Sequence, residues 1–504
     1  MQFKYVSGPP ASVSTEALAL CVESDGARDS QFKAADKALG GRLSKRIKQV
    51  EFQGGVGETL VVYSGSKSKL AAATRIVALV GAGPRKSVTP TLLRDLAANA
   101  VRAAESVRAK SLGFVIPQSA GKDTAAAAQH AAEGIALATY RFDKYRAKDT
   151  RKPSTVSSAV IASNAAKKPA IGNALDRAVA IADSIMLARD FINEPAEKMT
   201  PRQLASEARA IAKRHARVSV KILGPAECAK LKMGMFLAVG RGSAEPVQLI
   251  HMTYKPPGNA NTKKAKKKIA LIGKGVTFDS GGYSLKPTAS MLDMKIDMSG
   301  AAAVIASMDA IARLESPHEV HVIAACAENM VSGDAYRLGD VLTSMAGTTV
   351  EINNTDAEGR LTLGDALQYA RTKVQPDEVF DFATLTGACL VALGPHTAGV
   401  MSNDDKLVKA WLDAAGRSGE DMWQLPLTPR LKEQLKSSIA DLRNTGGRAG
   451  GAITAGLFLK EFAGDTPWVH VDIAGPASAS KASGATAEGA AGFAVATIIE
   501  YVTR

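Results

Sequence analysis

The 504-residue sequence predicts an α/β protein in two parts: a small N-terminal α/β domain joined by a long helix to a larger C-terminal α/β domain with a mixed central sheet. Three observations lead there. Short apolar runs alternate with helix-length amphipathic segments, the order expected when strands are followed by helices. Hydrophobic residues make up 46% of the chain but aromatics only 5%, which suits tightly packed helix-and-sheet layers better than an all-β sandwich. Between residues 149 and 192 a Ser-, Ala- and Lys-rich stretch gives way to one long helical pattern, separating two runs of alternation.

In the N-terminal part (1–170), strands are read at "ALALCVES", "ETLVVYSG", "RIVALVGAG" and "SLGFVIP". The helix "TPTLLRDLAANAVRAAESVRAK" follows the third, with Thr or Ser available as its cap. Residues 149–170 read as a variable last strand and the domain boundary. The connecting helix (171–192) carries Ile181, Ile185, Ala188 and Ile192 on one stripe, and Pro195 and Pro201 forbid its continuation. In the C-terminal part (193–504), strands are read at "QLIHMTY", "KIALIGKGVTF", "EVHVIAACAEN", "TVEINNTD", "EVFDFATLTG" and "WVHVDIAG". Several are apolar throughout, as buried parallel strands are. Helices are placed at "SGAAAVIASMDAIARLE" and "LGDALQYARTK", the latter beginning near Thr362.

Four cysteines (Cys21, Cys228, Cys326, Cys389) stand far apart in apolar company, the pattern of buried thiols in a reducing compartment. No apolar leader opens the chain and no stretch reaches membrane-spanning length, so a soluble, cytoplasmic protein without a membrane partner is expected. The formal charge is +14, densest at "KKAKKK" (Lys263–Lys268), which reads as a solvated hairpin or loop entering a buried strand. No aromatics interleave it. An additional DNA-binding role is the alternative reading, and retention on DNA that vanishes near physiological salt would reduce it to nonspecific attraction.

The chemistry collects in two places. "NNTDAEGRLTLGDAL" sets Asp356, Glu358 and Arg360 at alternate positions, which on an extended segment would point them to one side. Upstream, "GKGVTFDSGGYSLKPTASMLDMKIDMSGAA" holds Lys274, Asp279, Lys286, Asp293 and Asp297, with Gly281 and Gly282 suited to a close backbone approach. Both follow a strand and precede a helix, where open α/β sheets bind ligands. If they converge, Asp279, Asp297, Asp356 and Glu358 bring four negative charges together, which two divalent cations would neutralise. No His or Cys lies in either motif, so the site is oxygen-rich and suited to Mn, Mg or Zn, the usual basis of metal-assisted hydrolysis. "FDSGG" is similar to the sequence around the nucleophile of trypsin-like proteases, which would make Ser280 catalytic, but those are all-β and secreted. "GKG" lacks the third glycine of a dinucleotide fingerprint. His251, His321 and His470 fall within strand-like runs and read as core residues.

"NTDAEGRL" and "GKGVTFDSGG" resemble the two signature motifs of the leucine aminopeptidase (cytosol aminopeptidase) family. Similarity extends to "EGIALATYRFDKY", "ARDFINEPAEKMTP", "DFATLTGAC" and "DLRNTGGRAGGAITAGLFLKEF", and is weakest over the first 130 residues. The resemblance implies a dinuclear metallo-aminopeptidase acting on peptides with a free N-terminus, assembled as a homohexamer with active sites facing an interior cavity. It implies two divalent ions (Mn or Zn, with Co or Mg possible in the exchangeable site) and a bicarbonate. Asp279 and Glu358 match the bridging ligands, Lys274 and Asp297 the tighter site, and Asp356 the more exchangeable one. Lys286 matches the residue that polarises the scissile carbonyl. Arg360 matches the anchor of the bicarbonate, with Ala357, Gly359 and Leu385 matching positions around it; since the four carboxylates are all ligands in this reading, the bicarbonate would be the base. The pocket for the N-terminal side chain, leucine or another apolar residue, matches Met294, Thr384, Gly387, Ala474 and, more loosely, Ala477. After "DIAG" the chain runs on as "PASAS" without bulkier residues, which implies a roomier pocket.

Overall fold

The structure, a computed structural model, describes residues 1–25, 28–84, 88–166, 168–257 and 266–504. Its contacts divide the chain into two units: Met1–Asp183 with Ser480–Glu488, and Ser184–Ala479 with Gly489–Arg504. The division falls inside the long helix Pro169–Asn193. The expected stripe of that helix, Ile181, Ile185, Ala188 and Ile192, is buried.

The first unit is built on six strands: β1 (Gln2–Ser7), β2 (Ala17–Glu23), β3 (Thr59–Tyr63), β4 (Ile76–Gly83), β5 (Ser111–Val115) and β6 (Ser158–Ser163). They lie in the order β1-β6-β5-β2-β4-β3, parallel except for β3. β4 is buried along its whole length, as a central parallel strand must be. The helix after it, Pro90–Ser106, starts where expected: the Thr89 side chain accepts from Leu92 N–H and proline occupies the first turn.

The second unit holds an eight-stranded mixed sheet. Its strands are β7 (Val218–Leu223), β8 (Gln248–Tyr254), β9 (Lys268–Asp279), β10 (Glu319–Asn329), and, beyond a small three-stranded sheet of β11 (Val341–Thr343), β12 (Thr349–Glu351) and β16 (Leu442–Arg443), β13 (Glu378–Ala383), β14 (Ala398–Ser402), β15 (Met422–Gln424) and β17 (Trp468–Asp472). The order is β15-β14-β17-β13-β9-β10-β8-β7. β17, β13, β9 and β10 form a parallel centre, while β8 and β14 join it antiparallel. Alternation sorts the faces of β9. Ala270 and Ile272 join a core with Leu361, Leu363, Phe458 and Phe462. Gly273 abuts Ala301 of the helix Ser299–Arg313 instead. Among the described residues no helix is long and apolar enough to cross a membrane.

Two local readings change. β10 lies between β8 and β9, so of the two readings of the lysine-rich stretch the hairpin is excluded; Lys263 and Lys264 lie outside the described residues. "TVEINNTD" pairs as a strand only over Thr349–Glu351, after which the chain turns.

Candidate functional site

Every charged residue singled out in the two motifs except Asp293, which is exposed, converges beyond the carboxyl ends of the parallel strands. Asp279 closes β9 and Lys274 lies five residues earlier on the strand. Asp297 comes from the 3-10 turn Met294–Met298. Asp356 lies in the turn after β12, and Glu358 and Arg360 open the helix Gly359–Tyr369. Ligand oxygens of Asp279, Asp356 and Glu358 lie within 4.8 Å of one another. Lys274 Nζ stands 2.7 Å from Asp297 Oδ1 and 2.7 Å from Glu358 Oε1, joining the fourth carboxylate to the group. Lys286 Nζ bridges Asp279 Oδ2 at 2.9 Å and Asp356 Oδ1 at 2.5 Å.

The alternation Asp356, Glu358, Arg360 is therefore not that of an extended segment. Glu358 is already helical (φ −73°, ψ −34°), and the helix begins at Gly359, three residues before the expected start. The spacer glycine has a steric reason. A Cβ at Gly359 would stand 2.6 Å from Lys274 Cε and 2.7 Å from its Nζ, so only glycine lets the lysine reach past the helix start to Glu358. Gly281 (φ +84°) is likewise fixed, since a Cβ there would meet Ser284 O at 2.5 Å and Asp356 Oδ1 at 2.8 Å.

Burial sets the electrostatics. Glu358 is 1% exposed, and burial together with the charge of Asp279 raises its carboxyl above the usual range. Burial likewise raises Asp297 and Asp356. Burial alone would depress Lys274, but Asp297, Glu358 and Asp279 outweigh it and hold the ammonium above the ordinary lysine range. Arg360 is lowered to about 10 by burial, against the pull of Glu358 and Asp472. Its Nη1 donates to Asn444 O at 3.0 Å.

A layer of uncharged and acidic residues, invisible in the motifs, holds these groups in place. A bulge between Ala327 and Glu328 sets Asn329 opposite Asp279, and Asn329 Nδ2 donates to Asp279 Oδ1 (2.8 Å) and to Thr355 O (3.0 Å). Tyr336 Oη donates to the same carbonyl at 2.7 Å. Asn444 Oδ1 accepts from Asn353 N–H, while its Nδ2 donates to Asn354 O and, at 3.4 Å, to Ala357 O. The signal for Asn329 was a polar residue closing an apolar strand in step with the acid closing its neighbour. The three strand histidines are paired core residues: His470 Nδ1 lies 2.6 Å from Asp381, and His251 lies between His321 and the Tyr369 hydroxyl.

Of the residues matched to the substrate pocket, Met294 shares a 3-10 turn with Asp297, and Thr384 donates its hydroxyl to Asp297 at 2.8 Å. Gly387 is exposed, Ala474 half-buried and Ala477 only 1% exposed. Leu385 N–H, matched to the bicarbonate cradle, donates to Asp472 Oδ1 at 3.1 Å.

Two family models match the chain: the catalytic domain of the cytosol aminopeptidase family over residues 186–499, and its N-terminal domain over residues 19–149. A protein of Cyanothece sp. named "probable cytosol aminopeptidase" is 41% identical over 473 residues, covering 93% of this chain and 92% of its own length. One of the same name from Rippkaea orientalis is 40% identical over 504 residues, covering 100% and 99%. Among solved structures, a tomato leucine aminopeptidase mutant matches with TM-score 0.89 and 35% identity over 100% of this chain and 96% of that one. The bottromycin maturation enzyme BotP in complex with Mn matches with TM-score 0.83 and 34% identity over 97% and 99%. With both of its domain models matched in order and relatives aligned end to end, the chain belongs to the cytosol aminopeptidase family, and is a metal-dependent hydrolase that removes residues from the N-termini of peptides.

Proposed function

We propose that the enzyme releases leucine or another apolar N-terminal residue at a two-metal centre made of Lys274, Asp279, Asp297, Asp356 and Glu358. The observation that carries this is the convergence of buried carboxylates around too little positive charge. Four acids face two lysines, and among the described residues the buried Asp297 Oδ2 and Glu358 Oε2 accept no hydrogen bond. Hard oxygen donors with one amine fit Mn or Zn, with Co or Mg in the more exposed position beside Asp356. When bound, such ions acidify a water and polarise the scissile carbonyl.

The chain's own residues supply the rest. Lys286 is the less buried of the two lysines, its side chain 15% exposed against 4% for Lys274, so its charge lies on the approach to the carboxylates. There it stabilises negative charge growing on the carbonyl oxygen. Arg360 stands in the first turn of an eleven-residue helix, where the backbone also favours an anion. It is held by Asn444 at Nη1 while its buried Nε bonds to nothing among the described residues. Arg360 and the helix start would hold a bicarbonate there, and such an ion would supply the base that the four ligand carboxylates cannot. Met294, Thr384, Gly387, Ala474 and, more loosely, Ala477 line the side-chain pocket, and the small residues at 474–480 leave it roomy.

Leucine amide and an N-acetylated leucine peptide separate this chemistry from other peptidase activity: only the free-amine substrate should be cleaved. Equal turnover of both overturns the exopeptidase reading. For Arg360, the alanine variant should keep its metals and nearly normal substrate binding while kcat falls roughly ten- to a thousand-fold, within the usual worth of a general base. Bicarbonate returned to carbonate-free buffer should stimulate the wild type far more than the variant. A rise in KM alone would leave Arg360 only a substrate-positioning role.

A further inference from the structure

The last residue of β17, Asp472, is completely buried and lies in neither signature motif, yet its carboxylate is fully engaged. Oδ1 accepts the backbone amides of Leu385 (3.1 Å), Ala474 (3.1 Å) and, more distantly, Thr386 (3.4 Å). Oδ2 accepts the Thr386 hydroxyl at 2.7 Å, and that hydroxyl in turn accepts from Cys389 N–H at 3.0 Å, capping the helix Gly387–Leu393. One side chain thus binds the loop after β13 and the loop after β17. Those loops carry Thr384 and Gly387 on one side and Ala474 on the other.

The Leu385 amide belongs to the same planar peptide as the Thr384 carbonyl. That carbonyl accepts from Lys274 Nζ at 3.2 Å. The peptide is therefore held from both edges, by Asp472 at its N–H and by Lys274 at its C=O, and cannot rotate without losing both bonds. Its neighbour, the Thr384 hydroxyl, donates to Asp297. A carboxylate is the suited group here, because every partner is a donor and both of its oxygens accept.

We propose that Asp472 is a positioning residue that holds the two walls of the substrate side-chain pocket in register, and so sets which N-terminal residues are accepted. This rests on the reading that Thr384, Gly387 and Ala474 line that pocket. The carboxylate touches no part of the substrate. It acts through Leu385, Thr386 and Ala474.

Asp472→Asn keeps one acceptor oxygen and the side-chain volume, so its effect should fall on selectivity before it falls on chemistry. With leucyl, methionyl, phenylalanyl and alanyl amides as substrates, the variant should retain wild-type metal content by elemental analysis. KM for the leucyl substrate should rise about tenfold with kcat changed much less, and the preference for leucyl over alanyl substrate in kcat/KM should shrink by about tenfold, the scale on which apolar pockets discriminate. Thr386→Val, which removes the Oδ2 partner together with the cap on Cys389 N–H but leaves the Oδ1 bonds, should move KM and preference the same way by a smaller factor, and it decides the question if Asp472→Asn does not fold. Lost metal, or an equal fall for all four substrates, would overturn the proposal, as would unchanged parameters. Ala474→Leu tests the underlying reading by narrowing the pocket directly: an unchanged preference in that variant removes the pocket and the proposal together. A shifted preference in Ala474→Leu with none in Asp472→Asn or Thr386→Val overturns the role of Asp472 alone.

Discussion

Exhaustive chelation with 1,10-phenanthroline should abolish peptide hydrolysis, and Mn, Co or Zn should restore it, while a serine-directed inhibitor changes nothing. The expected loss is about a thousandfold or more, because polarising a carbonyl and acidifying a water are together worth several kcal/mol of barrier. The charge balance of the site gives the reason. Asp279, Asp297 and Glu358 are each less than 5% exposed, and burial lifts Glu358 and Asp297 above the usual carboxylate range. Two ammonium groups balance only half of the four acids, and neither can turn water into a nucleophile at neutral pH. Ser280, the one alternative nucleophile suggested by sequence, donates its hydroxyl to Asn329 O at 2.7 Å, and among the described residues no histidine hydrogen-bonds to it. Full turnover in metal-free enzyme would end the two-metal reading.

Lys274→Ala and Lys286→Ala should both be nearly inactive, yet for different reasons that metal analysis can separate. Lys274 is 3% exposed, pinned between Asp297 and Glu358 with the Thr384 carbonyl below. As a ligand it must surrender its proton, which the carboxylates resist and a neighbouring dication promotes. Removing it should lower bound metal and activity together, and the metal-free protein should lose roughly 3–5 kcal/mol of stability because buried acids lose their partner. Lys286→Ala should bind both metals and substrate while kcat falls by about 10²–10³, the usual worth of one preorganised group aimed at a developing oxyanion. Equal metal loss in the two variants contradicts the assignment of separate roles.

How much of this was legible beforehand follows from the kind of interaction involved. Strands such as "KIALIGKGVTF" and "EVHVIAACAEN" declare themselves because burial on both faces leaves no room for polar residues. The acids and lysines of the motifs stood out because like charges in a short span require an explanation. Asn444 and Asp472 did not, because their roles are hydrogen bonds to groups many residues away, most of them backbone, which spacing cannot encode; Asn329 left only the faint signal of a polar residue closing an apolar strand. The opening of the helix at Gly359 was misplaced for a related reason. Alternating charges suggested an extended segment, while the helical turn at Glu358 is imposed by what Lys274 and Glu358 must reach. Lys274 itself, a cation among acids, would not have been proposed as a ligand from charge counting.

The crowding between Lys274 and Gly359 also bears on how this protein can change over generations. A side chain at 359 and the long side chain at 274 compete for one volume, so neither position can drift alone. Replacing the glycine first expels the lysine from Glu358; replacing the lysine first leaves the acids without their partner. Position 359 is thus confined to glycine for as long as position 274 carries the lysine that the acids require. Two positions 85 residues apart in the sequence therefore share one volume and one constraint.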